Sequence, residues 1–344
     1  MLKCRRRQGR KTPARVPTKK PLLASPITTL SEGFSKSVMD LASRLLDPAQ
    51  PVVFFELVPP AENNADAQER ALAEAKRIKP LVHAVNLPEV RNESRASERT
   101  SKFVPRVSPR VFGKRLREEV GAEVVVNRGV VYQPNAGGWF RETYQNFGLN
   151  QIVLVGGESS KIRYPGPSVL EAAAEIRGTG LPATLGGIAL PGRAQEAERI
   201  RRKAHAGLSF FTTQVLFDSN DIVWLIQRLN GLEARIFLSF APVTTQRDIE
   251  FLRWLGADVP SDLDAYLVSG EHANSSGRAF EPSLKLAQTI LMDVLDNLPP
   301  DPPPLGLNIE HINRRNFPGA VRMLERLGNL YSDLLASRRP ARFV

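Results

Sequence analysis

The chain has 344 residues, 42% of them hydrophobic and 24% charged, enough for one large domain or two small ones. One cysteine, Cys4, excludes a disulfide framework and a cysteine-based metal site, and four scattered histidines (His83, His205, His272, His311) in no HExxH-like spacing argue against zinc. No run of 18 apolar residues occurs, which excludes a membrane-spanning helix.

The net charge of +11 sits at one end: residues 1–31 hold nine Lys/Arg and no Asp or Glu, leaving about +2 for the remainder. That stretch is rich in Pro and Thr and has no apolar periodicity, so residues 1–47 are expected to be a disordered basic extension ahead of a single domain, 48–344. A nucleic-acid arm is one reading of the charge. A solvated extension, or a start at Met39, is the other, and it is favoured because no aromatic interleaving accompanies the charge. The arginines are not followed by an apolar core, so no secretory signal is expected and the setting is expected to be the cytoplasm.

From residue 52 short apolar runs alternate with helical patterns. A strand at 52–58 precedes a helix at 66–79, and one at 81–87 precedes 110–120. Strands follow at 122–127 and 151–157, then a helix at 167–177. Strand 183–190 precedes helix 193–206, and 210–217 precedes 219–230. Strand 234–242 is followed by helical stretches at 245–255 and 279–298, and 305–312 by 317–336. Near-continuous apolar runs fit parallel strands covered on both faces. Eight βα units in roughly 290 residues predict an α/β fold, a (βα)₈ TIM barrel. An open doubly wound sheet would carry a Gly-rich turn after its first strand, where this chain has Pro59-Pro60. Segment 256–278 reads as a loop inserted over the site, and the Pro-rich 299–304 as a stiff connector.

In such a barrel chemistry sits at the carboxyl ends of the strands. Glu56 stands inside an apolar strand, on one face with Phe54 and Val58. A carboxyl there is either a general acid with a raised pKa or a partner in a salt bridge. Gln214 in the sixth strand either reads the edge of a flat heterocycle or satisfies backbone groups. Asp218 reads as a helix cap. Gly156 and Gly157 permit a close ligand approach or a tight turn, with Glu158 adding charge. Arg201, Arg202 and Lys203 hold phosphate or form a solvated helix face. At the eighth strand Glu310, His311, Asn313 and Arg314 cluster, His311 being a base or, preferably, a core residue.

Taken together these segments resemble the methylenetetrahydrofolate reductase family. The Phe-Glu-x-x-Pro-Pro pattern of its first strand is matched by 55–60, and the Thr-Gln-x-x-Phe-Asp of its sixth by 213–218. Its Arg-Lys-x-x-Ala-Gly stretch is matched by 202–207, and where its eighth strand ends in Leu-Asn-Arg this chain has Ile312-Asn313-Arg314, across about 52–330. The resemblance implies reduction of 5,10-methylenetetrahydrofolate to 5-methyltetrahydrofolate. Glu56 would be the acid that opens the bridge, with Gln214, Asn313 and Arg314 on the folate. It also implies FAD held by Asn86, Gly156, Gly157, Glu158, Tyr164, Arg202 and Lys203, with NADH or NADPH as hydride donor. The flavin side departs from the pattern: Val155 replaces an Arg, Gly157 an Asp, Asn86 a Thr, Leu190 a Tyr, and Val126 or Asn127 falls where a His is expected. A flavin-free reductase using nicotinamide directly, and a folate-binding barrel serving as a methyl-transfer partner, are the alternatives. A homo-oligomer is compatible with this reading.

Overall fold

The computed structural model describes residues 40–92, 102–157, 162–269 and 279–337; the basic stretch 1–39 lies outside them. Each apolar run becomes a strand and each pairs with the next in parallel: β1 (Val53–Leu57), β2 (Ala84–Leu87), β3 (Val124–Gly129), β4 (Gln151–Val155), β5 (Thr184–Ala189), β6 (Leu208–Val215), β7 (Arg235–Phe240) and β8 (Leu305–His311). Pairing of β8 with β1 closes the barrel. The (βα)₈ expectation is therefore what the structure shows.

The outer helices are α2 (Ala65–Ile78), α3 (Pro109–Arg115), α4 (Ala136–Phe147), α5 (Val169–Arg177), α6 (Glu196–His205), α7 (Asn220–Arg228), α10 (Glu281–Asp296) and α11 (Phe317–Ser337). Their starts follow local chemistry. Asn64 caps α2 through the Ala67 amide, and Ser168 with Glu171 forms a reciprocal capping box on α5. Helix α4 is absent from the helical stretches read above. Its Ala-Gly-Gly opening has poor intrinsic helix propensity, and its start depends on Asn135 accepting from the Gly138 amide. Among the described residues no helix is long and apolar enough to cross a membrane.

Two further differences matter for the site. Residues Leu41–Leu46, read as part of the extension, form helix α1, whose Leu41 and Leu45 are buried against the barrel's interior. Between β7 and α10, helices α8 (Gln246–Trp254) and α9 (Asp264–Val268) build a small cap with its own apolar cluster, including Val215, Phe217, Val243, Ile249, Leu252 and Leu267. So 245–255 belongs to the inserted region rather than to the barrel's ring of helices. Residues 270–278 of that region lie outside the described residues.

The barrel interior is divided in two. Its lower half, at the amino ends of the strands, holds Val52, Phe54, Ala84, Val125, Val153, Phe210 and Phe237, closed off by α1. Phe54 stacks on Phe237 at 4.0 Å, and Phe210 meets both edge-on at 5.9 Å. Gly186 and Gly306 make room for these rings: a Cβ at Gly186 would lie 2.4 Å from Phe210, and one at Gly306 2.6 Å from Phe237. Gly186→Ala is accordingly expected to cost about 1–3 kcal/mol by overpacking. Chemical denaturation measures this, and an unchanged midpoint would contradict the packing described.

Candidate active site at the carboxyl end of the barrel

Alternation along each strand decides which side chains enter the upper half. Phe54 faces inward, so Glu56 does; with Ala84 goes Asn86, with Val125 Asn127, with Phe210 Thr212, and with Phe237 Ser239. On β8, Asn308 is opposite Phe54 and Glu310 opposite Glu56, which puts both on this inner face. Val155 and Ile188 complete the ring as an aliphatic arc over β4 and β5. An aromatic plug below, a polar arc on one side and an aliphatic arc on the other suit a flat heterocycle with a polar edge.

Glu56 is central to the polar arc. Asn86 Nδ2 donates to its Oε2 at 3.1 Å, and Glu310 is its neighbour across the β1–β8 pairing. Both carboxyls retain some contact with solvent at the mouth while protein surrounds them, as in a deep cleft. Burial, and then the charge of Glu310, push the Glu56 carboxyl well above the usual carboxylate range. Burial also raises Glu310, to about 7, against hydrogen bonds from Ser239 and Asn308 that favour its charged form. Two adjacent carboxyls in a cleft do not both ionise near neutrality, so the pair retains a proton there.

The amides carry a second signal. Asn308 Nδ2 donates to Ser239 Oγ at 3.0 Å, and Asn86 Nδ2 to Glu56, yet among the described residues Oδ1 of Asn86, Asn127 and Asn308 has no hydrogen-bond partner. Asn86 and Asn308 have no exposed surface and Asn127 only 8%. Buried polar atoms are rarely left unpaired, and three such acceptors lie on one inner surface.

The other site residues named from the sequence are dispersed. Gln214 Nε2 donates to Leu255 O at 3.0 Å, joining the end of β6 to the turn after α8. Asn313 Nδ2 donates to Asp248 Oδ1 at 2.8 Å, while its Oδ1 caps the short turn Arg314–Asn316; its amide ties the cap to β8. Arg314 is exposed and its charge acts on Glu74 of α2. Asp218 accepts from the Asn220 amide at the start of α7. His311 faces out of the barrel between Phe55 and Phe317, at ring distances of 6.3 and 5.4 Å, and burial lowers it to about 4, so it is a neutral core residue rather than a base.

Apart from Arg202, the described residues assigned to FAD are engaged within the protein. Asn86 is bonded to Glu56. Tyr164 fills the open face of Gly157, where a Cβ would meet its ring at 2.2 Å. Gly156 approaches Val169 in the same way, at 3.3 Å. Lys203 Nζ donates to Ile188 O at 2.9 Å, and burial lowers its ammonium to about 8. Arg202 is exposed on α6, and Glu158 lies outside the described residues. Among the described residues no group of His, Cys, Asp and Glu is placed to hold a metal ion.

Asn308 and Ser239 are the residues that the sequence reading did not name; Glu310 was named only as part of the strand-eight cluster, and Asn127 only at a departing flavin-side position. Strand parity was the available signal: Asn308 and Glu310 fall on one face of the run Leu-Gly-Leu-Asn-Ile-Glu-His, as Phe54 and Glu56 do in the first strand.

No family model matches the chain, and no curated protein matches its sequence. Among solved structures, an uncharacterized protein from Clostridium thermocellum, described as binding two copies of 5-methyl-5,6,7,8-tetrahydrofolic acid, superposes with a TM-score of 0.67 at 17% identity, over 84% of this chain and 99% of that one. A dihydropteroate synthetase crystallised with a product gives 0.45 at 12% identity, over 83% of this chain and 96% of that one. The first likeness shows the barrel fold. It does not show membership of the reductase family.

Proposed function

We propose that the barrel mouth binds a reduced folate and that the protein reduces 5,10-methylenetetrahydrofolate to 5-methyltetrahydrofolate. The observation that carries this is the Glu56–Glu310 pair beside three unpaired asparagine oxygens. A reduced pterin presents several ring N–H groups and an exocyclic amine, which suit such acceptors. The 5-methyltetrahydrofolate named for the similarly folded Clostridium thermocellum protein supports the ligand class.

In the proposed step, Glu56 donates its proton to N10 of the methylene bridge. The N10–methylene bond breaks, and the N5 lone pair forms an iminium with the methylene carbon. Hydride from NADH or NADPH adds to that carbon, giving the N5-methyl group and the oxidised nicotinamide, and solvent returns the proton to Glu56. The engagement of Asn86 with Glu56 and of Lys203 with Ile188 O supports direct transfer over a flavin carrier. A purified protein with flavin absorbance bands would restore FAD as carrier and leave the role of Glu56 unchanged.

The test is nicotinamide oxidation dependent on 5,10-methylenetetrahydrofolate, with 5-methyltetrahydrofolate as product. Folate binding without any nicotinamide oxidation would instead support the second reading, a methyl-transfer partner, which the 5-methyl form bound by the similar structure favours.

A further inference from the structure

We propose that Glu310 is a positioning residue for Glu56: as the charged member of an adjacent pair, it keeps the proton on Glu56. The geometry is specific. The two residues are opposite one another on neighbouring strands and both face into the mouth. They are held differently. Glu310 has two neutral donors, Ser239 and Asn308, whose hydrogen bonds favour its carboxylate. Asn308 is itself fixed by its bond to the Ser239 hydroxyl. Glu56 has one amide donor, Asn86, and a negative neighbour. When the pair holds one proton, the better hydrogen-bonded carboxylate is Glu310 and the acid is Glu56.

Among the described residues, the other strands add no ionisable side chain to this inner face. The inner faces of β2, β3, β6 and β7 contribute Asn86, Asn127, Thr212, Gln214 and Ser239, which do not ionise. His311, next to Glu310 in sequence, faces outward and is held neutral by burial. Of the described arginines, Arg106 donates to Pro59 O and Arg128 to Glu89 Oε1.

The inference adds a device to the folate reading, on which its catalytic meaning rests, but its titration can be read without any folate. Infrared difference titration of the full-length protein follows the protonated-carboxyl stretch, assigned to Glu56 by its loss in Glu56→Gln. In Glu310→Gln that stretch is expected to disappear at a pH lower by roughly one unit or more, because the neighbouring charge that favours the protonated form is gone. The sign for turnover is the same. The acid works only while protonated, so activity falls as pH rises through its titration, and in Glu310→Gln this alkaline limb moves to lower pH. An unmoved midpoint in a folded Glu310→Gln variant overturns the proposal. Ser239→Ala provides a milder variant, expected to move the midpoint in the same direction by weakening the hold on the Glu310 carboxylate, and an unmoved midpoint there also counts against it. Failure of folate turnover in the wild type would refute the folate reading alone, since the infrared midpoint would still decide the pair.

Discussion

Glu56→Gln is expected to lower folate-dependent nicotinamide oxidation by about 10²–10⁴-fold, the usual contribution of a positioned general acid. The substitution keeps the size of the side chain and its capacity to bond Asn86, but removes the proton that opens the methylene bridge. Because that proton is needed for the chemical step, the loss should fall on kcat, with folate affinity changed far less. Steady-state kinetics separates the two. Unchanged kcat would sink the assignment of Glu56 as the acid, whereas loss of folded protein would show as loss of folate binding and of the melting transition.

The second large effect lies at the other end of the barrel and concerns stability. Arg235 begins β7, is fully buried, and reaches down to α1. Its Nε donates to Leu45 O at 2.8 Å, and its Nη2 to Arg44 O at 3.1 Å and Asp47 O at 2.6 Å. Nη1 donates to Leu305 O, which also accepts from the Tyr331 hydroxyl. One guanidinium therefore satisfies carbonyls at the end of α1 and links that helix to β8. A cation at a helix carboxyl end is also favoured by the helix dipole. Arg235→Leu leaves the Leu45 carbonyl without its donor, takes the charged donor from the Arg44, Asp47 and Leu305 carbonyls, and is expected to cost about 3 kcal/mol. For a domain of this size that is a fall of roughly 5–10 °C in Tm. Thermal denaturation reads it directly, and an unchanged Tm would show that α1 contributes little to the closed barrel.

These two sites also show what was legible in the sequence. The strands were, because each is an apolar run of the right length between polar helical patterns, and Glu56 was, because a carboxylate among Phe55 and Leu57 is costly without a reason. The asparagines were harder to read. Taken singly, Asn86, Asn127 and Asn308 are ordinary polar residues in apolar strands. Only closure of the barrel shows that they share an inner surface and that their oxygens lack partners. Helix α1 was hidden for a related reason. Leu41 and Leu45 are too few to produce a periodic signal, and their burial depends on Arg235, about 190 positions along the chain. Matching residues to a family pattern located Gln214 and Asn313 correctly at the strand ends. It did not anticipate that this chain bonds them to an inserted cap, Gln214 through Leu255 and Asn313 through Asp248.

The central claim is that the polar half of the barrel is a reduced-folate site. Calorimetric titration of 5-methyltetrahydrofolate into the wild-type protein and into Asn127→Leu tests it most directly, because Asn127 offers an unpaired buried oxygen and is hydrogen-bonded to neither carboxyl. The account predicts saturable binding by the wild type and binding weaker by about tenfold in the variant, the cost of one lost hydrogen bond. Absence of binding by the wild type, or equal binding by both proteins, would contradict it.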